Sequence, residues 1–448
     1  MDAMIKQLFE KGRQMGFTAQ EIYIQDAKKL SMSVYKQELD KYSLSENGGI
    51  SYRGIIEGKM GYSYTEKMDE QAVEMLVNEA YQNAKIIEND DEVMIYSGDQ
   101  NYKSLDLYNP KLEQVPISQK IDFLMALEKE IEAKDSRIHQ VTASAYEESE
   151  VFVRIINTEG LDVSDHANYC VVYTMISAKA AGDTRTGFAY QVGNAFDKLS
   201  VAYLAEESTR EALNLLGAKS TKSKACEVVF KNDAFAQFQS AFNGVLSAEN
   251  VQKNLSKFKG KLNERVAAEQ FTLIDNPHLE TGISSGSFDA EGVATRVNTM
   301  IEKGVLKTYF HNLKTAKKEG VSSTGNASKG SYKGTIGVSA TNIYVEPDKY
   351  SFEEIIASVE DGIYIIDLQG LHAGLSQVSG DFSLQCYGYH IKNGKLDKPV
   401  SQITVAGNYF ELLKDIELIG NDLKFTIMGD AYTGSPTIKI KKLSISGE

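Results

Sequence analysis

The sequence predicts an α+β fold, with an α/β first half, in which helices pack on mixed or antiparallel sheets, and a β-rich second half with a few helices. Up to about residue 217, segments with helical spacing of apolar residues alternate with strand-like segments bounded by glycine turns. Beyond residue 224, one helical pattern is followed mainly by strands and glycine-rich loops. The chain has 448 residues, too many for one hydrophobic core, so two or three domains are expected.

The first predicted domain covers residues 1–88. It opens with an amphipathic helix that ends at Gly16, and it closes with a helix over about 69–86. Glycine turns separate four predicted strands between these helices, at 21–24, 30–35, 49–56 and 60–65. An acidic stretch then begins the segment 89–115, which is predicted to be a linker.

The second predicted domain covers residues 116–217, and the third covers residues 224–448. A helix is expected after Pro116, with Ser118 as its cap. The other elements predicted in the second domain are strands at 138–145, 150–157 and 169–178 and a helix at about 196–215. The third domain is expected to contain a helix at about 232–248, and its glycine- and serine-rich run 320–334 is expected to be flexible.

Composition excludes several classes of function. The formal net charge of -14 argues against direct binding of nucleic acid, which needs clustered Lys and Arg. No apolar run approaches 18 residues, so no membrane span is expected. The three cysteines are far apart in sequence, which fits buried thiols in a reducing compartment and predicts a cytoplasmic protein.

One segment, 288–296, has the strongest chemical character, because it reads Phe-Asp-Ala-Glu-Gly-Val-Ala-Thr-Arg. If it is a strand, Asp289 and Glu291 point to the same face and suggest metal binding or acid–base chemistry. His311 follows the next predicted hairpin and would complete a site with two carboxylates and one imidazole. The favoured interpretation is different: His311 begins a helix over 312–318, and the carboxylates bind turn amides.

The second half resembles the TldD/PmbA (TldE) family of peptidase subunits, whose older name is modulator of DNA gyrase. The matching segments keep their order and spacing: 288–292 with Thr295 and Arg296, 301–306, 379–383, 391–395 with Pro399 and Val400, 403–408, 420–423 and 434–437. Weaker agreement in the first half is found at Gly49, Arg53, Gly58, Gly61, Thr65 and 157–160. The resemblance therefore covers nearly the whole chain.

Within that family, the TldD kind of subunit carries an HExxxH motif on a helix, with a cysteine nearer the C-terminus expected to complete its metal site. The equivalent helix here is 235–246, where Gln239, Ser240 and Gly244 occupy the three motif positions. None of these residues can bind a metal well or act as a base. The segment 429–434 also lacks the cysteine, and Cys386 is expected to be a packed thiol.

The resemblance thus implies the metal-free kind of subunit, similar to PmbA/TldE. It implies a TldD-like partner that supplies zinc and the general base, in a cytoplasmic metallopeptidase that processes or degrades unfolded peptides. No catalytic residue and no metal are expected in this chain. Asp289, Glu291 and Arg296 are expected to shape turns or contact substrate. A homodimer in the partner's absence, a self-sufficient homodimeric peptidase and a non-enzymatic regulatory protein remain alternatives.

Overall fold

The computed structural model describes residues 2–88, 93–429 and 431–448. Helices account for 24% of the structure and strands for 41%, and the C-terminal region is rich in strands. The predicted α+β class is therefore confirmed. The first four residues of the predicted linker, 89–92, lie outside the described residues. No helix in the described ranges is both long and apolar enough to cross a membrane.

The first half of the chain is built on one antiparallel sheet. Its elements are α1 (Asp2–Gln14), β1 (Ala19–Tyr35), β2 (Glu38–Ile56), β3 (Lys59–Thr65), α2 (Glu70–Ile86), α3 (Pro110–Glu113), α4 (Ile117–Lys134), β4 (Ile138–Asn157), β5 (Asp162–Ala180), β6 (Asp183–Gly193) and α5 (Val201–Asn214). The strand order is β3-β2-β1-β4-β5-β6, so strands from regions 1–88 and 116–217 pair directly through β1 and β4. The domain boundaries themselves stay a prediction.

The second half contains two larger sheets and a small one. Its elements are β7 (Lys224–Phe230), α6 (Asn232–Ser240), α7 (Ala248–Gln252), β8 (Leu273–Asp275), β9 (Asn298–Glu302), β10 (Val305–Leu306), α8 (Leu313–Glu319), β11 (Ala327–Ser328), β12 (Gly337–Val338), β13 (Asn342–Val345), α9 (Phe352–Ala357), β14 (Asp361–Gln369), β15 (Asp381–Lys392), β16 (Lys395–Asn408), α10 (Tyr409–Leu412), β17 (Ile416–Ile419), β18 (Lys424–Thr426), β19 (Tyr432–Ser435) and β20 (Ile438–Ser446). One sheet has the order β10-β9-β8-β13-β19-β18. The other has the order β16-β15-β14-β7-β20-β17, and β16 also pairs with β20, so five of its strands form a closed ring of pairings.

Several predicted boundaries are wrong in the structure. The pairs of strands predicted at 21–24 and 30–35, and at 138–145 and 150–157, are parts of the continuous strands β1 and β4. These strands continue because β1 pairs along its whole length with β2 and β4 pairs along nearly its whole length with β5, while residues 21–33 of β1 pair with residues 145–157 of β4. Ser118 does not cap α4, whose first residue is already Ile117. The predicted helix 232–248 is three pieces: α6, a 3₁₀ turn at Asn243–Leu246, and α7.

The core of the second half forms around aromatic side chains on and near α6. Phe235 and Phe238 on α6 contact Phe230 at the end of β7, and Phe242 stacks on Tyr409 with ring centroids 4.2 Å apart. All five rings are buried, and burying each of them stabilises the fold by about 2–3 kcal/mol. This packing fixes α6 against the ring of strands and thereby positions its C-terminal residues.

Candidate functional site

The last turn of α6 carries the first of the three motif positions, Gln239. Its side chain is fully buried and both ends of its amide are used. The Tyr409 hydroxyl donates to Gln239 Oε1 at 3.0 Å, and Gln239 Nε2 donates to Asn243 Oδ1 at 3.1 Å. Burial raises the pKa of Tyr409, so the phenol stays a neutral donor. Gln239 therefore joins α6 to α10 and to the following 3₁₀ turn.

The second and third positions are half-buried and lie against other segments. A side chain at Gly429 would overlap the Ser240 hydroxyl, so Gly429 lies directly against Ser240. A Cβ at Gly244 would lie 2.6 Å from Gln377 Oε1, and Gln377 Nε2 donates to the Ala241 carbonyl at 2.8 Å. A side chain at Gly244 would therefore require the Gln377 side chain to move.

Gly429 and Thr433 both lie close to this part of the chain, Gly429 against Ser240 and Thr433 against the turn after α6. Asn243 Nδ2 donates to Thr433 Oγ1 at 3.0 Å, which ties the turn after α6 to β19. The side chains present are amides and hydroxyls, and Gly244 has none, whereas zinc takes thiolate, imidazole or carboxylate ligands. These residues do not fit a zinc ion.

Asp289 and Glu291 lie in a turn, so the alternative in which they share a strand face is not formed; as in the favoured interpretation, the carboxylates accept from backbone amides. Phe288 and Ala294 form a single bridge, and Gly292 between them has φ +81°, which favours glycine. Asp289 Oδ1 accepts from the amides of Glu291 and Val293 at 2.9 and 3.1 Å. Its Oδ2 accepts from the Ala327 amide at 3.0 Å, which fixes the turn to β11.

Glu291 connects the same turn to two other parts of the molecule. Its Oε2 accepts from the Leu313 amide, the first of α8, at 2.7 Å. Burial raises the pKa of Glu291, and the Arg53 guanidinium on β2 opposes that rise. Burial and the neighbouring Glu291 raise the pKa of Asp289 to about 7. The two carboxylates are therefore buried among backbone amides and one guanidinium.

The structure keeps His311 and Arg296 apart from that pair. The buried His311 directs Nε2 towards Glu319 at 3.7 Å, and burial lowers its pKa. Asn312 caps α8. Arg296 is exposed, and its guanidinium donates to the Ser323 carbonyl. Residues 2–88, 93–429 and 431–448 contain no group of three or more His, Cys, Asp or Glu side chains that could hold a metal, so the alternative two-carboxylate, one-imidazole site is not formed there.

Comparison with known protein families decides the wider assignment. The family model for the PmbA/TldA metallopeptidase C-terminal domain matches residues 223–447, about half of the chain. The models for the central domain and for domain 1 of the same metallopeptidases match residues 110–216 and 21–84. This chain belongs to the PmbA/TldD metallopeptidase family.

Relatives within the PmbA/TldD family match along nearly the whole chain. A metalloprotease of Methanocaldococcus jannaschii is 28% identical over 400 residues, with 87% of each chain covered. A solved structure of a candidate modulator of a DNA gyrase from Thermotoga maritima is 31% identical, with a TM-score of 0.92 and coverage of 99% of this chain and 100% of that one. TldE from Thermococcus kodakarensis shares the fold at 23% identity, with a TM-score of 0.91 and coverage of 99% and 100%.

Two adjoining cavities lie between the first sheet and the C-terminal loops of this PmbA/TldD chain. The larger, about 400 Å³, is lined by residues of β1, β4 and β5 on one side and by the 283–290 and 325–329 segments on the other. The smaller, about 160 Å³, lies over β1, β2 and β3. Tyr23, Ala290 and Lys329 line both. Sequence analysis missed Lys329, because a lysine in a glycine- and serine-rich run usually signals only a solvated loop.

Proposed function

We propose that this chain is the metal-free, non-catalytic subunit of a cytoplasmic TldD/TldE-type metallopeptidase that processes or degrades unfolded peptides. A TldD-like partner would supply the zinc and the general base. In this arrangement, the present chain provides structural walls and part of the peptide-binding cavity. The proposal goes beyond family membership to a role for this subunit.

One observation carries the proposal: hydrogen bonds among neutral groups occupy the place of the metal ligands. Gln239 is fully committed to Tyr409 and Asn243, and Ser240 lies against Gly429. Restoring a histidine at Gly244 would require Gln377 to move. A buried amide that is hydrogen-bonded at both ends is costly to disturb, so Gln239 favours a structural role over metal binding.

Metal content of the purified chain tests the first half of the proposal. After incubation with zinc and dialysis against a weak chelator, the chain should retain far less than one equivalent of zinc. The TldD-like protein of the same organism, treated identically, is the positive control. Retention of about one equivalent by this chain alone would contradict the metal-free assignment.

Co-expression of the two proteins tests the second half. We expect a complex on size exclusion at micromolar concentration, with peptidase activity that is lost when the glutamate of the partner's HExxxH is changed to glutamine. Ser240→Ala in this chain should leave the activity of the complex within about twofold, since Ser240 has no chemical role. Separate elution of the two proteins would overturn the subunit role.

A regulatory function is the second candidate, favoured by the name of the Thermotoga maritima relative. The net charge of -14 means that such an effect would act through protein partners and not through DNA. If the cellular effect of deleting this chain persists when the partner's HExxxH is inactivated, the regulatory function is favoured. If inactivation reproduces the deletion, the peptidase subunit is favoured.

A further inference from the structure

Lys329 lies at the common wall of the two cavities described above. It follows β11 and begins the docking loop, which we define as residues 329–336. Its Nζ donates to Ser51 Oγ at 2.8 Å and lies 4.3 Å from the centroid of the Tyr23 ring and 5.0 Å from that of Tyr62. The amine thus faces the inner side of β1, β2 and β3 and not bulk solvent.

The lining of the smaller cavity carries more positive than negative charge, whereas Asp165 and Asp289 line the larger cavity that adjoins it. The charged residues that line the smaller cavity are Glu21, Arg53 and Lys329. Glu21 already pairs with Arg53 Nε at 2.6 Å, and Arg53 Nη2 has no hydrogen-bond partner. Within the described ranges, Lys329 forms no ion pair, and burial lowers its pKa to about 7. A buried amine without a counter-anion is stabilised when an anion binds beside it.

The shape of the cavities indicates which anion would fit. The smaller one, about 160 Å³, is also lined by the apolar side chains of Met60 and Ile336, so it suits a carboxylate on a short aliphatic group better than a bulky phosphate ester. The larger one, about 400 Å³, adjoins it and has room for several residues of an extended peptide.

We propose that Lys329 is a carboxylate-binding residue, which anchors the carboxylate of an extended peptide whose neighbouring residues occupy the larger cavity. The identification of the ligand as a peptide rests on the proposed function, whereas the carboxylate chemistry rests on the cavity alone. The carboxylate can be the C-terminus of the peptide or an acidic side chain, and the experiment separates the two.

Calorimetry on the full chain tests the proposal with three small probes. These are N-acetyl-Gly-Ala-Val with a free C-terminus, the same tripeptide as its C-terminal amide, and N-acetyl-Gly-Glu amide, whose only carboxylate is the side chain. We expect at least one carboxylate-bearing probe to bind about tenfold more tightly than the tripeptide amide. Whichever of the two does so identifies the source of the carboxylate.

Variants in the docking loop connect the binding to the amine. Lys329→Met keeps most of the packing and should weaken binding of the preferred probe by about tenfold, while Lys329→Arg should weaken it less. Lys333→Met is the matched control, because Lys333 lies in the same loop but is half exposed and pairs with Glu66 at 2.7 Å. It should bind the probes as the unmodified chain does.

A second measurement covers the case in which Lys329→Met fails to fold. In the unmodified chain, acylation of the Lys329 amine, followed by mass spectrometry, should be slowed by the preferred probe and not by the tripeptide amide. Equal affinity for all three probes, no binding at about 5 mM, or full affinity in Lys329→Met would overturn the proposal. These outcomes are independent of the subunit role, which fails only if no active complex forms with the TldD-like partner.

Discussion

At the scale of single residues, Gln239 shows how a lost metal ligand becomes a structural group. Its amide both accepts from Tyr409 and donates to Asn243, two roles that an ionised carboxylate, which only accepts, would not fill together. Because Gln239 and Tyr409 are both fully buried, the Tyr409 hydroxyl has no water as an alternative partner. The residue therefore has a measurable energetic role even without chemistry.

Gln239→Leu should lower the free energy of unfolding by about 1–3 kcal/mol. The substitution keeps the volume but leaves the buried Tyr409 hydroxyl and the Asn243 carbonyl oxygen without their partners. Urea unfolding of the full chain measures the change. Gln237→Leu, on the same helix but partly exposed, should stay within about 0.5 kcal/mol. Equal stability of the two variants would mean that the Gln239 hydrogen bonds contribute little.

Lys329 gives a prediction of pH dependence. Its pKa is lowered to about 7 in the folded chain, whereas an unfolded lysine titrates near about 10.4. The unfolded chain then holds more protons between these values, so Lys329 makes stability rise with pH, by at most about 1.4 kcal/mol per pH unit. The free energy of unfolding of the unmodified chain, relative to that of Lys329→Met, should therefore increase from about pH 7 to about pH 9.

The other titratable groups that face Lys329 do not obscure this pH dependence of the stability difference. Burial raises the pKa of Tyr23 to about 12 and also raises that of Tyr62, so neither phenol ionises in the range. The pKa of Arg53 is raised as well, through Glu21 and Glu291, and the carboxylates of the 289–293 turn are present in both proteins. A difference that stays constant between these pH values would show that Lys329 titrates as an ordinary lysine.

Sequence alone identified the substituted motif positions but not what holds them. Gln239, Ser240 and Gly244 lie close together in the sequence, so the sequence alone shows which residue types occupy the motif positions. Tyr409, the partner of Gln239, lies 170 residues away, and no periodicity predicts that contact. The turn at Asp289 was assigned in part to a strand, because its alternating residues look the same whether the backbone is extended or closed by Gly292.

At the scale of elements, the docking loop shows where composition misleads. The run 320–334 was expected to be flexible because it is rich in glycine and serine. The structure instead fixes its end on the first sheet: the Tyr332 amide donates to Gln25 Oε1 at 2.9 Å, and the Tyr62 hydroxyl donates to the Tyr332 carbonyl. The Tyr332 ring covers Gly49 on β2 and is buried. Contacts between distant elements have overridden the local composition.

Gly49→Ala should release the docking loop. A Cβ at this position would overlap the Tyr332 ring, so the ring must move away from β2. We expect faster amide hydrogen exchange over residues 329–336 and a loss of about 1–3 kcal/mol in stability. Gly330→Ala is the matched control, since a Cβ there meets nothing within 4 Å. Unchanged exchange in Gly49→Ala would show that the loop is held by other contacts.

The helix at the candidate site carries a similar lesson. Phe235, Phe238 and Phe242 recur at helical spacing, so one helix to residue 248 was the natural prediction. The helix α6 ends at Ser240. Phe242 nevertheless remains in the core, because its ring stacks on that of Tyr409 from the turn that follows the helix. Aromatic spacing records burial but does not distinguish a continuing helix from a turn that buries the same face.

At the scale of the whole molecule, one small apolar cluster joins the two halves of the chain. It combines Tyr23, Ile155 and Leu161 from the first half with Phe288 and Tyr332 from the second. Leu161 lies directly over Gly292, where a Cβ would overlap it, and the Tyr102 hydroxyl donates to the Gly292 carbonyl at 2.7 Å. The turn that identifies the family is therefore also the place where the first sheet docks on the C-terminal half.

Leu161→Ala tests this coupling, because it removes buried volume between the halves without touching any charged group. Truncating a leucine that is buried to this extent, with 3% of its surface exposed, should lower the free energy of unfolding by about 2–5 kcal/mol. Hydrogen exchange should rise both in the 289–293 turn and in β1 and β4, because the cavity opens between them. Leu262→Ala, at a leucine that is 39% exposed, should change stability by no more than about 0.5 kcal/mol. If exchange rises on one side only, the halves are held together mainly by the polar contacts of the docking loop, and Gly49→Ala should then have the larger effect on stability.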